Sequence, residues 1–196
     1  MQAPTKVELK VYQGSTFKEV IRWESSTKAY TNITAITKAA PCVISAAGHG
    51  MPAGWRFTVT DVLGMKEINS SDDYKIASSI TTDTITINDL NSASYSAYTS
   101  GGVVTYNVPN NLSGITARMQ IRSTLSSTTS ILELTDTNGQ IVIDNTAKTI
   151  TILLNSTVTA GLSFTTGVYS LELTNAVGEV TTLIYGSISL EKEITR

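Results

Sequence analysis

The chain has 196 residues, 41% of them hydrophobic and 15% charged, with a net charge of −2, one cysteine and one histidine. That hydrophobic share excludes long disordered tracts, and the length suits one large β domain or two small ones, each with a real core. Scattered basic residues in an acidic chain argue against nucleic-acid binding. A lone cysteine excludes an internal disulfide and a thiolate zinc cluster, and no apolar run approaches the roughly 20 residues that span a bilayer.

Taken in order, the first strand signal places Val7, Leu9 and Val11 on one face and Glu8, Lys10 and Tyr12 on the other. Gln13-Gly14-Ser15 supplies a turn. A second strand follows, with Phe17, Ile21 and Trp23 inward and Lys18 and Arg22 outward. Glu24-Ser25-Ser26-Thr27-Lys28 reads as a polar turn. The pattern then breaks off near Asn32 and resumes near Asn107, as expected when one β module is inserted into a surface turn of another.

Within the interruption, short strands are predicted at residues 33–37, 42–46, 55–62, 74–79, 84–88 and 103–106. They are punctuated by Gly48-His-Gly-Met-Pro-Ala-Gly54, Ser70-Ser-Asp-Asp73 and Ser100-Gly-Gly102. Short strands with frequent glycine turns predict a small, strongly bent barrel. Beyond it, Ile115-Thr-Ala-Arg-Met-Gln-Ile-Arg122 alternates apolar and polar residues without a slip, the period of a half-buried strand. Further strands are predicted at 131–134, 141–143, 150–154, 168–173, 180–185 and 188–194, with one helical turn at 155–162. The organisation expected is a discontinuous β-sandwich of residues 1–32 plus 107–196, interrupted by a β-barrel of residues 33–106.

Few residues suggest chemistry. His49 alone has an unperturbed pKa suited to proton transfer near neutrality, yet no spacing nominates a nucleophile or an orienting group beside it. It reads as a turn histidine bonded to its own loop. Gly48-x-Gly50-x-x-x-Gly54 fails as a phosphate cradle because Pro52 and Trp55 lead into a strand rather than a helix. Asp72-Asp73 and Asp136 with Asn138 offer weak oxygen ligands for calcium, although turn acids bonding their own backbone are commoner. Asparagine triplets at Asn32, Asn69, Asn111 and Asn155 follow from a composition rich in Ser and Thr. Tyr95, Tyr98, Tyr106 and Trp55 fit either a sugar-binding surface or the packing of a small barrel. The sequence therefore nominates no catalytic, cofactor-binding or metal-binding residue, and no cofactor.

Ile33-Thr-Ala-Ile-Thr-Lys-Ala-Ala-Pro-Cys-Val-Ile-Ser-Ala-Ala-Gly-His-Gly50, Gly64-Met-Lys-Glu-Ile-Asn69, Tyr74-Lys-Ile-Ala77 and Tyr95-Ser-Ala-Tyr-Thr-Ser-Gly-Gly102 resemble a β-barrel module of tailed-bacteriophage proteins. That module is similar to the first catalytic cysteine half-domain of ubiquitin-activating enzymes. The resemblance implies the fold and no activity, since Cys42 lies in a predicted strand and matches no catalytic position. The flanks Val11-Tyr-Gln-Gly-Ser-Thr-Phe17, Leu112-Ser-Gly-Ile-Thr-Ala-Arg-Met-Gln-Ile-Arg122 and Val168-Tyr-Ser-Leu-Glu-Leu173 resemble the immunoglobulin-like β-sandwich of phage tail and upper-baseplate accessory proteins.

Together these resemblances imply a non-enzymatic adaptor in the tail or baseplate of a virion. It would be present in multiple copies, docked on a ring or hub and bracing or presenting fibres. It would be made in the host cytoplasm, with virion proteins as partners and neither nucleic acid nor membrane among them. A capsid decoration protein and a carbohydrate-binding module at the host surface are the alternatives, and a hydrolase ranks last.

Overall fold

The computed structural model describes residues 3–194. The protein is all-β, and it divides into two compact units. One runs up to Trp23 and again from Asn111 onward; the other spans Glu24–Asn110. The expected boundaries at 32/33 and 106/107 therefore move outward. The reason is a strand that the sequence does not advertise.

The first unit begins with β1 (Thr5–Lys6), β2 (Leu9–Tyr12) and β3 (Phe17–Ile21). Leu9 and Val11 point into the core while Lys10 and Tyr12 face solvent, as the period-two pattern requires.

The interrupting unit opens with β4 (Glu24–Asn32), which covers the expected polar turn. It is followed by β5 (Ala35–Ile36), β6 (Cys42–Ser45), β7 (Arg56–Leu63), the 3-10 turn Lys66–Ile68, β8 (Ser70–Ile76), β9 (Ser79–Ile80), β10 (Thr84–Ile87) and β11 (Ser100–Pro109). β4 pairs antiparallel with β11 from Asn32 opposite Val103 to Glu24 opposite Pro109, so both belong to the insert. Two four-stranded sheets result, in the orders β5-β6-β10-β9 and β4-β11-β7-β8, around one core holding Trp55, Phe57, Ile44, Met51 and Ile85.

The expected barrel is thus not closed among the described residues. The strands group into two sheets, and at two corners the chain passes from the pairing of one directly into that of the other. The Ile33 amide still bonds Gly102 while the Thr34 amide bonds Ser45. Likewise the Ala77 amide bonds Trp55 and the Ser78 amide bonds Thr86. Gly102 lies inside β11 rather than in a turn. Its φ is +98°, and a Cβ there would come within 2.6 Å of the Val62 side chain.

The first unit resumes with β12 (Thr116–Arg122), β13 (Leu132–Thr135), β14 (Ile141–Asp144), β15 (Thr149–Leu154), α1 (Ser156–Ala160), β16 (Thr166–Thr174) and β17 (Val180–Glu191). The strands form a larger sheet, β1-β17-β16-β12-β13 with β2 also on β17, and a smaller one, β14-β15-β3. Their inner faces share one core that includes Val11, Met119, Ile121, Leu134, Ile150, Ile152 and Leu171, the arrangement of a β-sandwich. The pairing is antiparallel with two exceptions: β1 and β2 each run parallel to β17.

β17 crosses Gly186 without a break, where the sequence pattern predicts two separate strands, 180–185 and 188–194. The Val7 backbone passes over that glycine, and a Cβ would lie 2.0 Å from the Val7 carbonyl oxygen. The helical turn at α1 is capped by Asn155, whose Oδ1 accepts from the Val158 amide at 2.9 Å.

Candidate functional site

His49 is 3% exposed and fully engaged by backbone. Nδ1 accepts from the Met51 amide at 3.0 Å, which leaves Nε2 as the protonated nitrogen donating to the carbonyls of Thr81 (3.0 Å) and Thr84 (3.3 Å). A histidine so held staples the Gly48–Gly50 turn to the β9–β10 hairpin. The Tyr106 hydroxyl donates to the His49 carbonyl at 2.6 Å and closes the same corner. Burial pushes that phenol's pKa up.

The four aromatics that the sequence left between sugar surface and core divide unevenly. Trp55 is fully buried, with its indole N–H donating to the Asn107 carbonyl at 2.7 Å, and Tyr106 is buried beside it. Tyr95 and Tyr98 are half-buried against the same core, and the Tyr98 hydroxyl reaches the carbonyls of Ile33 and Gly101, each at 3.0 Å. These rings pack the insert rather than form one open platform.

The remaining sequence candidates hold turns and strands. Asp136 Oδ1 accepts from the Ala117 amide, and Asn138 Oδ1 accepts from the Thr135 and Gln140 amides. Asp72 and Asp73 are exposed on β8. Among the described residues no three His, Cys, Asp or Glu side chains converge as a metal site, and no helix is long and apolar enough to cross a membrane. Asn69 acts as a strand mimic, its amide exchanging two hydrogen bonds with the Val62 backbone at 2.9 and 3.0 Å. Cys42 is fully buried; desolvation raises its thiol pKa, and a hydrogen bond with Ser92 acts in the opposite sense.

Two arrangements were not visible in the sequence. In the insert, Arg56 sits between the Glu24 carboxylate and the Tyr74 ring. Its Nε and Nη2 contact the two carboxylate oxygens at 2.6 and 2.7 Å, and the guanidinium carbon lies 4.7 Å from the ring centroid. The fork raises the Arg56 pKa, chiefly through the Glu24 hydrogen bonds. Asn107 also donates to Glu24, at 3.0 Å. The clasp therefore joins the segment where the insert begins to the segment where it ends.

The second arrangement lies on the outer face of the larger sandwich sheet. Strand register aligns Glu133, Gln120, Ser170, Tyr185 and Lys6 in one row across five strands. A groove of about 640 Å3 opens over this row, bordered by Leu125 and floored by Ser170, Glu172 and Tyr185. At one end the polar groups interlock. Glu133 takes hydrogen bonds from Gln120 and Arg118, and Arg122 bridges Gln120 Oε1 and the Ser127 carbonyl. The Gln120 amide, followed by Arg118, holds the Glu133 carboxyl below the usual range. At the other end Ser170, Glu172, Tyr185, Ser187 and Lys6 have no side-chain hydrogen bond or ion pair among the described residues.

No known protein-family model matches this sequence, and no curated protein matches it significantly.

Proposed function

We propose that the chain is a non-enzymatic structural protein of a tailed-phage virion, an adaptor in the tail or baseplate region. Its sandwich docks on a neighbouring ring or hub, and its inserted unit braces or presents a fibre. The immunoglobulin-like character of the sandwich and the barrel-module kinship of the insert belong to this reading and rest on the sequence resemblances.

One observation carries it. The smaller sandwich sheet turns an apolar outer strip away from its own core: Val20 and Val142, 37% and 47% exposed, flank Thr151 in register. The strip is bounded by β3 and β14, each paired on one side only. Apolar residues facing outward between two unpaired edges suit a docking face for a neighbouring subunit, and they support this reading. Symmetric copies then convert modest contacts into firm attachment.

The test is incorporation. Wild-type protein should co-sediment with tail components, and the double variant Val20→Lys, Val142→Lys should fold but stay in the supernatant. Tail rings call for about six or twelve copies per particle, a capsid coat for hundreds. Counting copies per virion thus separates the adaptor from the decoration protein. Wild-type chain that remains soluble beside assembled tails and capsids overturns both.

A further inference from the structure

We infer that the groove over β12, β16 and β17 is a binding site for a neutral oligosaccharide. The inference does not depend on where in a particle the chain sits.

The argument starts from what the groove offers. Its floor strands are each paired on both sides, β12 between β13 and β16, β16 between β12 and β17, and β17 between β16 and the amino-terminal strands. The sheet edge that borders the groove is β1, only two residues long (Thr5–Lys6), so a peptide adding itself as a strand finds little to pair with. Recognition must come from side chains. Those on the floor are a half-exposed tyrosine ring, a carboxylate, an ammonium and two serine hydroxyls, none engaged by another side chain among the described residues. Polar groups that have partners elsewhere on this sheet face lack them here.

Charge narrows the ligand. The lining sets two cations, Lys6 and Arg122, against one carboxylate, Glu172, a net charge of only +1, and Arg122 is already held by Gln120 and Ser127. A nucleic-acid strand or an anionic surface would want a net basic stripe. A membrane would want more apolar area than Leu125 and Val168 supply.

A neutral sugar fits both halves of the inventory. The C–H face of a pyranose packs on the Tyr185 ring, while vicinal hydroxyls exchange hydrogen bonds with Glu172, Lys6 and the serines. The groove volume is that of a small-ligand site and accommodates a few sugar units. The interlocked Glu133–Gln120–Arg122 end fixes one wall before binding, which lowers the ordering cost.

The experiment is affinity electrophoresis of the full chain through native gels containing dextran, galactomannan or soluble β-glucan, backed by an array of neutral glycans. At least one should retard the wild-type chain or bind it. Tyr185→Ala and Glu172→Gln should each weaken that association roughly tenfold, the scale of one lost ring contact or charged hydrogen bond. Ser187→Arg, which fills the groove from an exposed position, should abolish it with the melting temperature unchanged. Tyr95→Ala and Tyr98→Ala, in the insert, should leave it intact. Absence of binding to every polysaccharide and arrayed glycan overturns the proposal. So does binding that survives both Tyr185→Ala and Ser187→Arg, or binding that is lost in the insert variants.

Discussion

The hydroxyl of Tyr169 donates to the carbonyl of Val7 at 2.9 Å, across 162 positions of sequence. The Val7 amide in turn bonds the Tyr185 carbonyl, so the segment joining β1 to β2 is gripped from both sides. This pair ties the opening strands to the closing ones past the entire insert.

Tyr169→Phe should therefore destabilise the sandwich by about 1–2 kcal/mol, read as a shift of the denaturation midpoint at neutral pH. Burial first, and the negative charge of Glu19 second, push the Tyr169 pKa up to about 12. An unfolded tyrosine ionises near 10, so between about pH 10 and 12 the unfolded chain has released a proton that the folded chain retains. Stability from this group is complete below pH 10 and falls as pH rises through 12. The phenylalanine variant should lose that part of the alkaline decline.

Gly186 has no room for a side chain because the Val7 carbonyl oxygen occupies the place of its Cβ. Gly186→Ala should cost roughly 1–3 kcal/mol by forcing two paired backbones apart. Hydrogen exchange should speed up at β1, β2 and β17 and stay unchanged in the insert. Uniform loss of protection throughout the chain would contradict this account.

The Glu24–Arg56 fork is partly shielded, with the Glu24 side chain 12% exposed and that of Arg56 48% exposed. Glu24→Gln should cost about 1–2 kcal/mol, less than a fully buried pair because water reaches the arginine. Amides of β4 should exchange faster while those of β16 keep their protection. Arg56→Lys should not substitute, since an ammonium can neither fork nor stack on Tyr74 in the same way.

His49→Ala should leave the Met51 amide and the carbonyls of Thr81 and Thr84 without their side-chain partner in a buried corner. The expected loss is about 2–3 kcal/mol, seen in thermal unfolding of the insert. A variant as stable as wild type would remove the structural role assigned to this ring.

Strands that bury one face were legible, and the rest were not, for a consistent reason. Ile115–Arg122 alternates because Ala117, Met119 and Ile121 enter a core, and that alternation is the signal. Glu24–Asn32 has no fully buried residue, and the partly shielded ones (Glu24, Ser25, Ala29 and Thr31) make no apolar alternation. It reads as polar turn residues even though it forms nine residues of strand, and the unit boundary was displaced with it. Ser70–Asp73 misled in the same way at the edge of β8. Gly102 and Gly186 resembled breaks because glycine marks turns, whereas here it marks places where another part of the chain comes too close for a Cβ.

The sites were less legible still. Trp55 and Tyr106 have the same residue types whether they line a sugar platform or a core, and only burial decides. The row Gln120, Ser170, Tyr185, Lys6 exists only through register among four strands scattered along the chain. No local pattern announces it.

The partners of the opening strands also carry a consequence for biosynthesis. β1 and β2 depend on β17, and β3 on β15, all made late. Three strands are therefore made before their partners, and then comes a lobe whose own pairing is complete by Pro109. That lobe matures first on the nascent chain while the earliest residues wait. Native pairing of β1, β2 and β3 therefore depends on their staying available until β15 and β17 follow.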